Sequence, residues 1–254
     1  MGPVTDRPDK RDRSVTGLGK MDRSGTGPTE WHASLPSTMT VAAQRAREGC
    51  PHLYVVGADE QTAGMGRHGR TWHSQACGGL YVSIILRMPP TGVTLALGLA
   101  TQEAITLITG LAPDLRWPND VLIGGRKCAG VLAQLEGEAI IAGIGINLSQ
   151  TEFPEGLATP ATSLLLEGAV VQKDVLLAAL MQAVERCCKV LAEDGVTPIL
   201  RAFEASSSYA IGRRVKTDDG VEGVTRGLDA SGFLIVREDS GKETAILTGG
   251  VRGQ

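Results

Sequence analysis

The fold of this chain is limited first by a polar, glycine-dense loop that joins two apolar, strand-like segments. Residues Gly64 to Gly69 match the pattern GxGxxG, which is the fingerprint of dinucleotide-binding folds. In those folds the glycines open a helix, and an acidic residue follows after about 20 positions. Here the loop leads into another strand-like segment, and Pro89 and Pro90 occupy the later positions. We therefore expect no dinucleotide-binding βαβ unit.

The same loop carries groups suited to binding an anion. Arg67 and Arg70 offer planar cations with several donors, and the glycines let backbone N–H groups approach an anion closely. Trp72 adds an aromatic face that can stack on an adenine or on an arginine. These residues predict a phosphate site. The alternative interpretation is a solvated basic turn that Trp72 anchors to the core.

Composition narrows the class of protein. The chain has 254 residues, 42% hydrophobic and 4% aromatic, so we expect one large domain and a small accessory one with an aliphatic core. The formal net charge of −3 gives no general reason to bind nucleic acid. The five cysteines form no CxxC pair, which argues against a disulfide framework and a zinc site. The chain shows no membrane-spanning run and no signal-like start, so the expected location is the cytoplasm.

Turn residues and hydrophobic periodicity divide the chain. Residues 1–30 are polar and charged, which predicts a disordered tail, followed by a main domain at 31–208 and a small β-barrel at 209–254. Within the main domain, Ser37 and Thr38 are expected to cap the first helix. The predicted helices cover 39–48, 94–109 and 174–194, and the predicted extended segments cover 53–59, 80–87, 116–123, 126–136 and 139–149. Gly124 and Gly125 predict a hairpin turn between 116–123 and 126–136.

Five ordered segments carry a resemblance to a known family. They are Ser37-Thr38, DEQTAGMGRHGRTW (59–72), RWPNDVLI (116–123), RKCAGVLAQLE (126–136) and GIGINLS (143–149). Together they resemble the biotin protein ligases. The most specific parts are the QTAGxGRxGRxW loop and the WPND segment that leads to Lys-x-x-Gly. The region after Gly212 resembles the SH3-like barrel that closes such enzymes, on the evidence of its turns and short strands alone.

The resemblance implies a fold and a reaction. The fold is of the α+β class: a catalytic domain of the biotin/lipoate ligase type, similar to class II synthetases and built on a mixed β-sheet, with a small C-terminal SH3-like β-barrel. The reaction has two steps, which use ATP and Mg²⁺. Biotin and ATP form biotinyl-5′-AMP and pyrophosphate, and a lysine of a biotin carboxyl carrier protein then accepts the biotin. Because the first step joins two anions, it requires fixed cations.

The resemblance also implies roles for individual residues. Asp120 is the sole candidate for organising Mg²⁺ or Lys127, and no other metal ligand is expected. The catalytic residues are expected to be Arg67 and Lys127; the biotin-binding residues Ser37, Thr38, Met39, Gln61, Gly64, Met65, Gly66, Arg67, Lys127, Gly130 and Gly143; and the ATP-binding residues Arg67, Arg70, Trp72 and Asn147.

Two positions depart from the family pattern. Met65 stands where the loop usually has its first arginine, and Met39 stands where the Ser-Thr pair is usually followed by asparagine. The first removes a cation from the phosphate site, and the second removes an amide from the expected biotin end. We expect catalysis with an intermediate that is held more loosely.

Partners and rival functions follow from the same comparison. Residues 1–30 are too short and too polar for the helix-turn-helix that some family members carry, so no DNA binding is expected. The sequence leaves homodimerisation open. A lipoate or octanoate ligase or transferase shares the implied fold, and a non-catalytic protein that holds biotin as a signal is a rival from another class.

Overall fold

The computed structural model of the protein describes residues 28–253. The predicted tail falls almost wholly on residues 1–27, outside the described residues. Its boundary at residue 30 is wrong, because a strand begins at Thr29. The reason is Glu30, which is 1% exposed and accepts two hydrogen bonds from Arg45, at 2.7 and 2.8 Å. A charged residue that looks solvated in the sequence is thus a buried, paired one.

The main domain is built on a seven-stranded mixed sheet with four helices. The strands lie in the order β1-β2-β3-β7-β6-β5-β4, and β1 runs parallel to β2 while the other neighbouring strands are antiparallel. In chain order the elements are β1 (Thr29–His32), α1 (Thr38–Arg47), β2 (Tyr54–Ala58), β3 (Gly79–Leu86), α2 (Val93–Thr109), β4 (Asp114–Arg116), β5 (Asp120–Ile123), β6 (Arg126–Glu136), β7 (Ala139–Asn147), α3 (Lys173–Glu193) and α4 (Thr197–Ser206).

Helices cover both faces of this sheet. Helix α1 packs its apolar side on one face, against Val56, Ile85 and Ile141. The other face belongs to the main core, in which α2, α3 and α4 take part. Because β3 is covered on both sides, all eight of its residues are buried. None of the helices within residues 28–253 is long and apolar enough to cross a membrane.

The predicted hairpin around the two glycines is confirmed, but one of its arms is wrong. Gly124 and Gly125 have positive φ angles of 56° and 77°, and they join β5 to β6. Residues 116–123, however, do not form a single extended segment. The chain turns at residues 117–119, which include a cis Trp117–Pro118 peptide bond, and β4 pairs antiparallel with β5. Helix α4 was not predicted.

The C-terminal residues form a second, smaller sheet. Its five antiparallel strands lie in the order β11-β10-β9-β8-β12, so the predicted α+β class with a small barrel-like domain is confirmed. Its last two strands are separated by residues 247–250. The strands are β8 (Ile211–Thr217), β9 (Glu222–Leu228), β10 (Leu234–Arg237), β11 (Glu243–Ile246) and β12 (Val251–Gly253).

Candidate functional site

The loop between β2 and β3 lies over the end of the main sheet. It contains one short 3₁₀ turn, Arg67–Gly69, in which His68 has a φ angle of 55°. A turn of three residues offers no helix N-terminus for a pyrophosphate, and the loop joins two antiparallel strands, so it is not the turn of a βαβ unit. Gly64 lies under the Trp72 carbonyl, which would be 2.3 Å from an added Cβ. Any larger residue would displace the loop.

Arg67 points from this loop toward the second sheet. Its Nη1 donates to the carbonyl of Gly249 at 2.8 Å and to the side-chain oxygen of Asn119 at 3.3 Å. Burial lowers the pKa of its guanidinium, which nevertheless stays cationic. Arg67 lines the walls of two adjoining cavities, an inner one beside β6 and β7 and an outer one bounded by the C-terminal sheet.

Lys127 lies at the boundary between those two cavities. Its Nζ is 2.5 Å from Asp120 Oδ1 and 5.3 Å from the centre of the Trp72 ring. The other carboxylate oxygen of Asp120 is 2.5 Å from Arg116 Nη2. Burial opposes the ionised form of Asp120, but the charges of Lys127 and Arg116 outweigh it and hold the pKa of the carboxyl below its usual range.

The Trp72 ring lies flat on a pair of glycines. Gly130 of β6 and Gly145 of β7 are cross-strand partners, and a Cβ added to them would meet the ring at 3.0 and 2.4 Å. The indole Nε1 is buried and has no hydrogen-bond partner. Sequence reasoning missed Gly145. The available signal was its spacing of two residues from Gly143, because alternate residues of a strand share one face.

The inner end of the site contains a closed polar network. Gln61 Oε1 accepts from the Thr38 N–H at 2.8 Å and from its hydroxyl at 3.0 Å. The network extends to Ser83 Oγ, 2.8 Å from Thr38 Oγ1, and to Ser74 Oγ, which accepts from Gln61 Nε2 at 2.8 Å. Ser83 and Ser74 were not predicted. They come from segments about 20 and 10 residues beyond Gln61, so only the fold brings them together.

Ser37 and Met39 correct two expectations at this end. Ser37 occupies the N-cap position of α1, but its hydroxyl makes no cap hydrogen bond and is buried without a partner. Burying a hydroxyl without a hydrogen-bond partner costs free energy. Such an unpaired group is typical of a residue that binds a ligand. The Met39 sulfur lies where Gly143 lacks a side chain, 2.6 Å from the position of an added Cβ. The thioether therefore fills the space over Gly143, which was expected to bind biotin.

The two cavities differ in size and in walls. The inner one is about 50 Å³, several times the minimum that one water needs. The outer one is about 190 Å³ and opens between the loop and the C-terminal sheet, with Phe153 and Leu157 on one wall. Met65 lines the inner cavity, with 41% of its surface exposed. The structure brings together, around these two cavities, the predicted residues Thr38, Met39, Gln61, Met65, Gly66, Arg67, Arg70, Trp72, Lys127, Gly130, Gly143 and Asn147.

Two of the predicted ATP residues already have protein partners. The Asn147 amide donates to the carbonyl of Thr162 at 2.9 Å, and the residue is 4% exposed. Arg70 is mostly exposed and lies 3.4 Å from Asp218 of the C-terminal sheet. Contributions from that sheet, which also supplies Gly249, were not apparent in the sequence, because about 150 residues or more separate them from the loop.

The acidic side chains around the two cavities determine whether the protein itself can bind a metal ion there. Within residues 28–253, no group of three or more His, Cys, Asp or Glu side chains is placed to hold an ion. Both oxygens of Asp120 are taken by Arg116 and Lys127. These residues do not fit a magnesium site built by the protein, so Mg²⁺ fits the site only as a companion of the ATP phosphates.

Known proteins resemble this chain in both sequence and fold. The model of the biotin/lipoate A/B protein ligase family matches residues 31–150. The bifunctional ligase/repressor BirA of Bacillus subtilis is 34% identical over 229 residues, which are 83% of this chain and 70% of that protein. The biotin--[acetyl-CoA-carboxylase] ligase of Mycobacterium tuberculosis is 32% identical over 210 residues, 77% of each chain. A biotin protein ligase from Aquifex aeolicus, solved in complex with biotin and ATP, is 31% identical with a TM-score of 0.78, covering 89% of this chain and 99% of that one.

Proposed function

This chain belongs to the biotin protein ligase family, and on that premise we propose that it joins biotin to a lysine of a carrier protein with ATP. In the first step a biotin carboxylate oxygen attacks the α-phosphorus of ATP, and pyrophosphate leaves as the bond to its bridging oxygen breaks. In the second step the ε-amine of the carrier lysine attacks the acyl carbon. AMP leaves, and the amine proton passes to solvent. The need for ATP favours the cytoplasm as the place of reaction.

The observation that carries this proposal is the convergence of Arg67 and Lys127 on adjoining cavities. Both line the inner and the outer cavity, and they come from a loop and a strand that lie about 60 residues apart. The first step brings a carboxylate and a triphosphate together, and negative charge builds on the transferring group. Fixed cations at the junction stabilise that charge without reorganising during the reaction.

The inner cavity suits the biotin ring end. A neutral cyclic urea needs donors and acceptors rather than charge, and the network of Thr38, Gln61 and Ser83 supplies both kinds. The unpaired Ser37 hydroxyl is a further group for the ring or for the network around it. Binding of the ring against Gly143 requires the Met39 side chain to move, because its sulfur occupies that space.

The outer cavity suits the adenosine and phosphates of ATP. Its apolar wall includes Phe153 and Leu157, and its polar wall carries Arg67 and Arg70. Trp72 offers a face for stacking, and the Asn147 amide reaches the same cavity. A magnesium ion bound to the ATP phosphates would supply additional neutralisation of charge.

Transfer of biotin to a carrier tests this function directly. Purified protein with ATP, Mg²⁺ and labelled biotin is expected to attach label to a biotin carboxyl carrier domain, but not to one whose acceptor lysine is replaced by arginine. Lipoate in place of biotin serves as the control for a related acyl substrate. Attachment of lipoate instead of biotin, or binding of biotin without any transfer, would overturn the proposal.

A further inference from the structure

Lys127 belongs to a line of three charged side chains. Arg116 ends β4, Asp120 begins β5, and the two are cross-strand partners across the turn at 117–119. Asp120 holds Arg116 through one oxygen and Lys127 through the other, each at 2.5 Å. The side chains of Arg116, Asp120 and Lys127 are 9%, 15% and 24% exposed, so the contacts are largely shielded from water. Charges in such surroundings interact more strongly than at the surface.

The number of charges matters for the proposed chemistry. A pair of Lys127 and Asp120 alone would be neutral, and the carboxylate would compete with substrate oxygens for the ammonium group. With Arg116 the cluster contains two cations and one anion, because arginine stays charged. Half of the carboxylate's hydrogen-bonding capacity then goes to Arg116. Lys127 is held in place while the cluster keeps a net positive charge toward the cavity.

Arg116 is itself held on several sides. Its Nη2 also donates to the Thr159 hydroxyl at 2.6 Å, and Thr159 lines the outer cavity. Its guanidinium carbon lies 6.0 Å from the centre of the Tyr209 ring, and that of Arg213 lies 5.2 Å from the same ring. A planar group fixed by both hydrogen bonds and a ring has little freedom to move. Arg116 is therefore a rigid support rather than a mobile surface charge.

We propose that Arg116 is a positioning residue that acts through Asp120 to keep Lys127 available to the reacting carboxylate and phosphate. This inference rests on the proposed function. It assigns to Arg116 a role in the rate of adenylate formation, not in the affinity for biotin. Loss of Arg116 leaves Asp120 with Lys127 as its only partner, which draws the ammonium group away from the substrate.

We expect replacement of Arg116 to change kcat much more than the KM for biotin. In an assay of biotin-dependent pyrophosphate release, Arg116→Gln is expected to lower kcat about 10- to 100-fold, the scale on which a misplaced cationic group affects catalysis. The KM for biotin should change by less than about threefold, because the inner polar network does not include Arg116. Arg116→Lys keeps the charge and is expected to restore most of the lost rate.

A double-mutant cycle with Asp120→Asn tests whether Arg116 acts through Asp120. If it does, adding Arg116→Gln in the Asp120→Asn background lowers kcat by less than about twofold, because coupled residues are not additive. If the two effects multiply, or if biotin KM rises as much as kcat falls, the inference is overturned. Should Arg116→Gln unfold the protein, Arg116→Met, which keeps the length of the side chain but not its charge, replaces it in the same cycle.

The control variant is Arg126→Gln. Arg126 neighbours Lys127 in sequence, is half exposed and pairs with Glu167, with no contact to Asp120. Arg126→Gln removes the same charge as Arg116→Gln, but from β6, the strand that carries Lys127. Its kcat should stay within about twofold of wild type if the contact with Asp120, and not the general charge, matters. An equal loss of kcat in both variants would overturn the inference. Failure of the wild-type chain to release pyrophosphate with biotin would instead contradict the proposed function.

Discussion

Met65 is the loop residue at which this chain lacks a cation that the family pattern contains. Its partly exposed thioether lines the inner cavity next to Gly66 and Arg67. We expect Met65→Arg to add one charge-assisted hydrogen bond to biotinyl-5′-AMP. Its rate of release, followed by rapid filtration of labelled adenylate, should fall about tenfold, which corresponds to roughly 1.4 kcal/mol.

The matched control for that change is Met65→Gln. Glutamine has a similar length and adds polarity without charge, so release should slow much less than with arginine. An unchanged release rate for Met65→Arg would show that the missing arginine does not matter for retention of the intermediate.

Prediction from sequence works unevenly for individual residues. Arg67 and Lys127 belong to motifs whose spacing is specific, and the structure brings both to the same junction. Ser83 and Gly145 lie in ordinary apolar strands. Arg116 occupies a position that any charged residue can take. Their contribution comes from register and from contacts between strands, which a single sequence does not reveal. Met39 shows the reverse case, because its departure from the family pattern was visible but its place over Gly143 was not.

Strand β1 and helix α1 are joined by one buried ion pair. The Glu30 carboxylate accepts from Arg45 Nε and Nη2, and His32 Nε2 lies 2.9 Å from it. The hydrogen bond from Arg45 is the main reason that the pKa of Glu30 lies below its usual value. We expect Glu30→Gln to lower the free energy of unfolding by about 3 kcal/mol at pH 7, measured in urea, because Arg45 loses its buried partner.

The lowered pKa of Glu30 also predicts how the stability difference between wild type and Glu30→Gln depends on pH. A lowered folded-state pKa contributes stability that is present above the unfolded-state value of about 4.3 and is lost as pH falls through the folded-state value. The gap between wild type and Glu30→Gln should therefore shrink below about pH 4. Glu48→Gln is the control, since Glu48 contacts the same Arg45 from an exposed position. A gap that stays constant from pH 7 to pH 3 would contradict the assignment.

Whole elements were predicted best where the hydrophobic pattern was long. Helix α2 ends before Gly110, whose φ angle of 71° suits a glycine stop. The errors lie at short elements. Residues 116–123 contain few apolar positions around Pro118. Their hydrophobic pattern therefore does not distinguish one extended segment from two short strands joined by a turn. Strand β1 was not predicted, because Thr29 and Glu30 are polar. Pairing with β2 places them in the sheet, and Glu30 is buried against Arg45.

The two sheets of the molecule meet at the loop between β2 and β3. Arg67 donates to the carbonyl of Gly249, and Arg70 and Arg252 both contact Asp218, at 3.4 and 3.2 Å. We expect Asp218→Asn to weaken this contact between the loop and the C-terminal sheet. Amides of residues 64–71 should exchange hydrogen faster in the ligand-free protein, while the free energy of unfolding changes by about 1 kcal/mol or less because these ion pairs are exposed.

Asp219→Asn serves as the control for the loop experiment. Asp219 is the exposed neighbour of Asp218 in the same turn, so its replacement removes an equal charge from outside the contact. Biotin and ATP together should slow exchange in residues 60–79 of the wild type. If Asp218→Asn and Asp219→Asn gave the same exchange rates in residues 64–71, the contact would have no role in holding the loop.

Arg67 and Lys127 are proposed to form an adenylating site for biotin. Exchange of labelled pyrophosphate into ATP measures that step without a carrier protein. The wild-type chain is expected to show exchange with biotin and none with lipoate. Lys127→Met should lower the rate by about 10²- to 10³-fold while the thermal midpoint of unfolding stays close to wild type. Exchange that does not require biotin, or that persists at the wild-type rate in Lys127→Met, would contradict the assignment of an adenylating site to these residues.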